Sequence, residues 1–310
     1  MRIIITGGTG LIGKHLIHAL QGHDHELIVL SRNPATSDDL PASVKKIKWD
    51  AKTVGPWAES LEGADVVINL AGESLAGDGF LPPRWTDERK KSILQSRIDV
   101  GQALVAAISQ TTNKPKVLIQ ASAVGYYGPS DDRLLKEDSP AGNDFQAQVC
   151  VAWEASTAAV KEQGVKQIPI RIGLVLSKKG GVLSRLILPH KFFVGGPLGS
   201  GSQWYPWIHI DDLVSAIIFL MNNSTAQGPY NLTAPNPLTN RDLEKTIAKV
   251  MGRPAFMPAP AFALKLALGE VSDLVLNGQR AVPAALEQLG FEFEYKHAEP
   301  ALRDLLNKPA

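Results

Sequence analysis

The chain has 310 residues, of which 44% are hydrophobic and 20% charged, the composition of an ordinary globular protein rather than of a disordered one. Its 32 Lys and Arg residues balance 31 Asp and Glu residues, and no long run of like charge occurs. The sequence therefore lacks the basic patch of a nucleic-acid or membrane-surface binder. The single cysteine, Cys150, excludes an intrachain disulfide and a paired-cysteine zinc site.

The N-terminal segment predicts the compartment. Only three apolar residues follow Arg2 before Thr6, too short a run for the apolar core of a signal peptide. No later apolar stretch reaches the length of a membrane span. We therefore expect a cytoplasmic protein.

Short runs rich in β-branched residues alternate with longer amphipathic segments over the first part of the chain. This alternation predicts an α/β fold, a parallel sheet covered by helices on both faces. The predicted strands are 2–6, 26–31, 44–49, 66–70, 117–121 and 167–172. The predicted helices are 11–20, 87–108 and 145–162.

After residue 176 the alternation is interrupted by glycine-rich connections such as Gly180-Gly181 and Gly195-Gly196. A helix at 210–221, a strand at 230–232, a helix at 239–251 and a helical tail from Pro260 follow. We therefore expect two parts: a dinucleotide-binding domain over residues 1–176 and a smaller, mostly helical substrate lobe over 177–310. Part of the second segment is expected to return to the sheet.

A glycine-rich turn directly follows the first predicted strand and opens the first predicted helix. It runs through Thr6, Gly7, Gly10, Leu11, Ile12 and Gly13. Gly7 permits a tight turn, Gly10 lets the backbone approach a pyrophosphate, and Gly13 lets the helix pack on the sheet. The placement predicts a Rossmann-type dinucleotide site, and a plain glycine-rich turn is the alternative.

The end of the second predicted strand indicates which dinucleotide is bound. Ser31 and Arg32 stand where NAD-binding proteins of this fold place an acidic residue. A guanidinium there binds a 2′-phosphate, so these residues favour NADP over NAD, although a solvated surface arginine is the alternative. Asp50, after the third strand, either meets the adenine edge or caps its own loop.

The fourth predicted strand ends in small residues, Asn69, Leu70, Ala71 and Gly72, as a sheet edge against a cofactor requires. Together with the glycine turn, this segment resembles an atypical epimerase-family branch of the extended short-chain dehydrogenases/reductases, often labelled nucleoside-diphosphate-sugar epimerase. The other segments that carry the resemblance are Arg84-Trp85, Ser96-Arg97, Tyr126-Tyr127-Gly128, Trp153-Glu154, Arg171-Ile172-Gly173, the run from Pro206 to Asp211, and Gly278-Gln279.

The resemblance implies a Rossmann-type doubly wound parallel sheet, NADP bound over the glycine turn, and a substrate lobe built from the later loops. It also implies cofactor contacts at Ser31, Arg32, Leu70, Ala71, Gly72, Arg97 and Val175. For Arg97, the alternative is an ion pair on the helix surface with Asp99 or Glu88.

The chain departs from the family at the catalytic pair. Family catalysis uses a tyrosine whose pKa is lowered by a lysine four residues later, but no Tyr-x-x-x-Lys occurs in this sequence. Cys150 and Glu154 occupy that spacing. A carboxylate raises the pKa of a neighbouring acid, so the usual proton shuttle is missing, and we expect Cys150 to be buried and inert.

The remaining catalytic candidates are Ser122 and Tyr127, on the loop after the fifth predicted strand, where ligands of this fold bind. For Tyr127, loop packing is the alternative. An aromatic platform for a substrate ring could come from Trp204, Tyr205, Trp207 or Trp85, and packing between the two lobes is the alternative. A pyrophosphate could be held by Arg84, Arg185 and Arg280.

Two further side chains are expected to be structural. We expect a structural role for His209 and a helix cap at Asp211. No metal site is expected.

These observations predict an NADP-dependent oxidoreductase or epimerase that acts on a small hydroxyl, carbonyl or sugar-nucleotide-like substrate. The alternative is an NADP-binding sensor or regulatory protein without turnover, which the missing Tyr/Lys pair favours. The expected partner is a small-molecule substrate, with no nucleic acid and no membrane, and homodimer formation is left open.

Overall fold

The structure is a computed structural model that describes residues 1–36, 39–77, 79 and 82–307. The strands in this part of the chain are β1 (Arg2–Thr6), β2 (Glu26–Ser31), β3 (Lys45–Lys48), β4 (Val66–Asn69), β5 (Val117–Ala123), β6 (Leu134–Leu135), β7 (Lys166–Ile172), β8 (Leu174–Leu176), β9 (Trp204–Tyr205), β10 (Trp207–His209), β11 (Tyr230–Leu232), β12 (Leu238–Thr239) and β13 (Arg280–Ala281). The α-helices are α1 (Leu11–Leu20), α2 (Asp87–Gln110), α3 (Phe145–Ser156), α4 (Val182–Lys191), α5 (Ile210–Asn222), α6 (Asn240–Met251), α7 (Ala261–Leu268), α8 (Asp273–Leu276), α9 (Ala284–Gln288) and α10 (Ala298–Asn307).

A seven-stranded sheet in the order β11-β7-β5-β4-β1-β2-β3 forms the centre of the fold, and all its described strand pairs are parallel. Ile3 of β1 pairs with Leu27 on one side and with Val66 on the other. The strand order therefore reverses between β1 and β4, which is the point where doubly wound sheets bind ligands at their carboxyl ends. The predicted Rossmann-type fold is confirmed.

The two faces of the sheet are buried under different helices. Ile3 and Ile5 of β1 belong to a core that includes residues of α1, α5, α6 and α10, whereas Ile4 belongs to a second core with residues of α2. Because side chains alternate across a strand, one run of three isoleucines supplies both cores. The helices thus hold the sheet from both sides and leave its carboxyl edge for a ligand.

The helix predicted over 145–162 is shorter in the structure. α3 ends at Ser156, and a separate 3₁₀ turn covers Ala158–Gln163. The break occurs where the Thr157 hydroxyl donates to Oε1 of buried Gln120 at 3.1 Å, a contact with β5 that a continuous helix would displace. Tertiary hydrogen bonding therefore overrides the helical pattern here.

The later part of the chain contributes to the sheet and forms the mostly helical region predicted after it. β11 pairs with β7 at the edge of the main sheet, as expected for a segment that returns to it. β8 pairs with β10 and β9 with β12 in small separate sheets. The division at residues 176 and 177 stays a prediction. Among the described residues, no helix is long and apolar enough to cross a membrane.

Candidate functional site

The glycine turn is packed against the end of β4. Gly7 has a φ of +67°, and a Cβ there would lie 2.7 Å from the Leu70 carbonyl carbon. A Cβ on Gly13 would lie 2.5 Å from the Gly7 carbonyl oxygen. Both positions therefore require glycine, for left-handed backbone at the first and close approach of helix and turn at the second.

Gly10 has a different environment. A Cβ there would meet only the Gly7 carbonyl oxygen, at 3.3 Å, with no other described atom within 4 Å. Gly10 is also the N-cap of α1, and no side chain caps the helix. The first N–H groups of the helix therefore lack both intrahelical acceptors and a capping side chain, an arrangement that suits a phosphate anion.

The end of β2 presents the predicted pair for the adenosine end of a dinucleotide. Ser31 is buried and its hydroxyl accepts a hydrogen bond from the Asn33 amide at 3.2 Å. Arg32 is exposed and makes no hydrogen bond or ion pair with the described residues. Its guanidinium is therefore available to an external anion.

Asp50 is held by its own loop. Its carboxylate accepts hydrogen bonds from the Thr53 hydroxyl and from the backbone amides of Thr53 and Lys52, both at 2.9 Å. These bonds, the one from the Thr53 hydroxyl first, lower the pKa of Asp50 to about 2. The structure thus shows the loop-capping role, and a contact between Asp50 and adenine stays a prediction.

A buried row of polar side chains joins the carboxyl ends of β1, β4 and β5. The Thr6 hydroxyl donates to Asn69 Oδ1 at 2.6 Å, and Asn69 Nδ2 donates to Gln120 Oε1 at 2.9 Å. Thr6 Oγ1 also accepts the Ala71 amide at 3.2 Å, which fixes the backbone of Leu70 and Ala71 beside the glycine turn. These bonds hold the switch point rigid.

Arg97 is buried beside this edge without a carboxylate partner. The residue is 6% exposed, Nη1 donates to the Ile93 carbonyl at 2.8 Å, and Nε has no hydrogen-bond partner among the described residues. Its guanidinium lies 4.5 Å from the centre of the Trp153 ring and close to Gly72, whose Cβ would lie 3.2 Å from Cζ. Burial lowers the pKa of Arg97, and the nearby Cys150 and Glu73 partly offset this effect by raising the pKa. The expected alternative, an ion pair with Asp99 or Glu88, is not formed.

A cleft of about 270 Å³ opens next to Arg97 at the carboxyl edge of the sheet. The loops after β5 and β7, helix α3, β9 and the loop after α8 form its walls. Its lining residues are Leu75, Arg97, Ala123, Val124, Gly125, Gln146, Val149, Cys150, Trp153, Ile172, Gly173, Leu174, Trp204, Tyr205, Pro206, Leu274, Asn277, Gly278 and Gln279. Val175 follows the lining residue Leu174 in β8 and pairs with Ile208.

Cys150 and Glu154 stand on α3 at the spacing of the missing catalytic pair. Cys150 is 4% exposed and lines the cleft, and burial raises the pKa of its thiol to about 11. Glu154 adds to this shift, as expected, whereas Arg97 lowers the pKa of the thiol. The cationic neighbour that the local sequence does not supply thus comes from α2.

A second buried arginine compensates the negative charge of Glu154. Arg171 Nε donates to Oε1 at 2.9 Å and Nη2 donates to Oε2 at 3.1 Å, a bidentate pair. Burial alone would lower the pKa of Arg171, but the hydrogen bonds and charge of Glu154 raise it. Arg171 also lies 3.4 Å from the centre of the Tyr126 ring.

Tyr127 does not line the cleft. Its hydroxyl donates to Asn231 Oδ1 at 2.7 Å and accepts from Arg171 Nη1 at 3.0 Å. The residue is 5% exposed, and burial raises the pKa of Tyr127 to about 12. Its catalytic role stays a prediction, and this placement argues against it, because the hydroxyl is fully engaged in a network behind the cleft.

Ser122 is also outside the lining of the cleft, but it is closer to the site. Its side chain is buried, and its hydroxyl lies beside the Cys150 thiol and lowers the pKa of that group. Its Oγ has no hydrogen-bond partner among the described residues. A direct role for Ser122 in proton transfer stays a prediction.

The structure separates the other expected residues. Trp204 and Tyr205 line the cleft, whereas Trp85 packs against Phe145 in a different apolar cluster. Sequence reasoning did not single out Gln146 and Asn277, which line the cleft from α3 and from the loop after α8. No local motif marks either residue, because their positions depend on how distant segments pack.

The expectation that Asp211 caps a helix is wrong. α5 begins at Ile210, and the capping side chain is His209, whose Nδ1 accepts the Asp211 amide at 3.1 Å. His209 is therefore structural, as expected. His209, Asp211 and Asp304 offer ligand atoms within 4.8 Å of one another, but Nδ1 is already occupied by the capping bond. With Nδ1 as acceptor, the proton stays on Nε2, and the cluster does not suit a metal ion.

Comparison with known proteins agrees with this geometry. The sequence profile of the NAD dependent epimerase/dehydratase family matches residues 3–233. The chain belongs to this family. A profile named as a domain of unknown function, DUF1731, matches residues 259–305 of this epimerase/dehydratase family member. The resemblance inferred from the sequence motifs is confirmed.

Similar epimerase-family proteins match along the whole chain. The chloroplastic epimerase family protein SDR39U1 homolog of Arabidopsis thaliana is 40% identical over 99% of this chain and 87% of its own length. Epimerase family protein YfhF of Bacillus subtilis is 40% identical over 99% of this chain and 98% of its own. The crystal structure of the human epimerase family protein SDR39U1 with NADPH has a TM-score of 0.89 and 31% identity, covering 100% of both chains.

Proposed function

We propose that the protein binds NADP(H) and transfers hydride between it and a small hydroxyl or carbonyl compound bound in the cleft, in the cytoplasm. The observation that carries the proposal is Arg32, an exposed and unpaired guanidinium at the end of β2, where an acidic residue would select NAD. The NADPH in the crystal structure of the human relative supports the same cofactor.

The described residues fit the whole length of this cofactor. The open space at Gly10 and the uncapped start of α1 suit the pyrophosphate, with Thr6, Leu11, Ile12 and Gly13 around it. Leu70, Ala71 and Gly72 lead from there to Arg97, whose unpartnered Nε would face the nicotinamide end. We place Val175 near the same end. Asp50 remains a candidate for the adenine edge.

NADPH, when bound, would supply a hydride to the carbonyl carbon of a substrate and become NADP⁺, and the substrate oxygen would take its proton from solvent. Arg97 is suited to bind and orient oxygen atoms near the transfer, because a guanidinium stays charged even when burial lowers its pKa. The apolar walls of the cleft limit the contact between water and the reacting atoms. The Cys150 thiol is protonated at neutral pH and lines the same cleft.

The second candidate is an NADP-binding sensor or regulatory protein without turnover. This second candidate is favoured because a buried thiol and an arginine-paired carboxylate replace the Tyr/Lys pair. Both candidates predict the same cofactor and differ in whether reduced nicotinamide is consumed when a carbonyl compound is present. Homodimer formation stays a prediction in either case.

Calorimetric titration with NADPH and NADH tests the cofactor. NADPH is expected to bind more tightly than NADH. Arg32→Glu should reduce the ratio of the two dissociation constants by about tenfold or more, because it removes a charge-assisted contact. Arg133→Glu, an exposed arginine outside the site, is the matched control and should leave the gap unchanged. Equal affinities in the unmutated protein would refute the assignment. If NADPH binds but is not oxidised in the presence of any carbonyl compound of a panel, the sensor is favoured.

A further inference from the structure

We infer that the substrate part of the cleft takes a small, mainly apolar aromatic carbonyl compound and excludes nucleoside-diphosphate sugars. This inference rests on the proposed function and narrows its substrate class. It follows from the charge, the wall chemistry and the size of the cleft.

The cleft is almost without charge. In the part of the chain that the structure describes, Arg97 is the one charged side chain that lines it. A nucleoside-diphosphate sugar carries two negative charges on its pyrophosphate, and sites for such groups use several charge-assisted hydrogen bonds. Since Arg97 lies beside Gly72 at the expected cofactor edge, no cation among the described lining residues remains for the pyrophosphate of a substrate.

The arginines outside the cleft that could reach a pyrophosphate are engaged elsewhere. Arg84 donates to the Leu266 carbonyl, and Arg185 Nη2 donates to the Gly77 and Gly79 carbonyls at 3.1 Å and 2.6 Å. Arg280 Nη1 donates to the Asp132 carbonyl at 3.2 Å and lies 3.4 Å from the Asp132 carboxylate. Recruiting them would break contacts that hold loops together.

The aromatic walls offer ring faces rather than polar groups. Trp204 Nε1 donates to Asp132 Oδ1 at 2.9 Å, and the Tyr205 hydroxyl donates to the Val275 carbonyl at 2.8 Å. With their polar atoms bound in this way, the two side chains present mainly apolar surface to the cleft, and the Arg280 guanidinium, 4.4 Å from the centre of the Trp204 ring, covers one face of that ring. Leu75, Val149 and Leu274 extend this surface. Such walls favour a planar apolar ligand.

A few neutral polar groups remain for a carbonyl oxygen. The side-chain amides of Gln146 and Asn277 line the cleft, and neither has a hydrogen-bond partner among the described residues. An amide N–H donates to a neutral carbonyl oxygen without requiring a negative charge on the ligand. These two residues are therefore suited to orient an uncharged substrate.

The size of the cleft agrees with its chemistry. Its volume of about 270 Å³ lies below the range of roughly 300–1,000 Å³ typical of sites for drug-sized ligands. The nicotinamide end of the cofactor is expected to occupy part of it. The remaining space suits a single ring with its carbonyl group better than a sugar joined to a nucleotide.

Calorimetry on the protein saturated with NADP⁺ tests this inference without turnover. Acetophenone and benzaldehyde are the apolar probes, and UDP-glucose is the competing probe. We expect the aromatic carbonyl compounds to bind at least about tenfold more tightly than UDP-glucose. Trp204→Ala should weaken their binding about tenfold, Trp204→Phe should retain most of it, and Trp49→Phe, in the core on the α2 face of the sheet, should change nothing.

Two results would overturn the inference. One is tighter binding of UDP-glucose than of either aromatic carbonyl compound, and the other is unchanged binding of the aromatic compounds by the Trp204 variants. If NADP⁺ itself fails to bind, the proposed function fails together with the inference. If NADP⁺ binds and UDP-glucose binds more tightly, only the substrate class is wrong.

Discussion

Two buried arginines contact neighbouring residues of α3, and their surroundings differ. Arg171 donates two hydrogen bonds to the Glu154 carboxylate. It also donates to the Tyr127 hydroxyl at 3.0 Å and to the Glu137 carbonyl at 2.9 Å. Arg97 lies over Trp153, has one hydrogen bond to its own helix and no carboxylate partner.

The comparison separates a structural charge from one that is available to a ligand. Burying a charge costs free energy unless a partner compensates it, so a buried and unpaired guanidinium persists where it serves another purpose. Arg171 has its compensation within the fold, behind the cleft. Arg97 lacks it and lines the cleft, so a bound group is expected to supply the missing partner.

The largest effect is expected from Arg171→Gln. This change leaves the Glu154 carboxylate buried without its bidentate partner, which should lower the free energy of unfolding by about 3–5 kcal/mol. Urea denaturation measures the loss. The double variant with Leu at both positions should recover most of it, because no charge is then left unpaired. A loss below about 1 kcal/mol, typical of a surface pair, would show that the comparison is wrong.

Arg97→Met should have the opposite effect, with little loss of stability and a large loss of NADPH affinity. Because Arg97 has no carboxylate partner to lose and its burial costs free energy, the free energy of unfolding should stay about the same or rise, while the dissociation constant for NADPH should rise about ten- to a hundredfold. Arg89→Met, on the same helix but paired with Glu73, is the control and should leave NADPH binding unchanged. Unchanged NADPH affinity with a large loss of stability would make Arg97 structural.

Tyr127→Phe should affect stability more than turnover. The change removes the hydrogen bonds to Asn231 and Arg171, which should cost about 1–2 kcal/mol in unfolding free energy and leave NADPH affinity unchanged. Loss of a general acid would instead lower the rate by about 10²–10⁴-fold. Rate measurements at constant folded fraction distinguish the two, and a rate loss of that size would return the proton-donor role to Tyr127.

The difference between the two arginines also shows what the sequence could predict. The glycine turn and the strands beside it follow from local patterns, because the motif, the strand and the helix are adjacent in the chain. β1 and β2 match their predicted bounds. Local patterns also identify Arg32 as the residue at the end of β2.

The cleft could not be predicted in the same way. Arg97, Cys150 and Trp204 come from α2, α3 and β9, and only the packing of these elements brings them together. The sequence shows that the lysine is missing but not that a cation arrives from another helix. The burial of Tyr127 likewise depends on Asn231, a residue of β11 that is distant in the chain.

The smallest expected effect concerns the titration of Cys150, which reports the charge of Arg97. With a pKa raised to about 11, roughly one thiol in a thousand is ionised at pH 8, so alkylation by iodoacetamide should be slow and should accelerate about tenfold per pH unit up to pH 10.

Because Arg97 lowers the pKa of this thiol, Arg97→Met should move the alkylation profile to higher pH, by less than about one unit. The folded protein holds this proton more tightly than the unfolded chain, so its contribution to stability is complete below the ordinary pKa of 9.0 and is lost as the pH rises toward about 11. Fast alkylation at pH 7 would mean that the thiol is a thiolate and that the cation acts on Cys150 rather than on a ligand. If Arg97→Met shifts the pH profile of alkylation and NADP⁺ slows the alkylation of Cys150, then the charge, the thiol and the bound cofactor lie in one site.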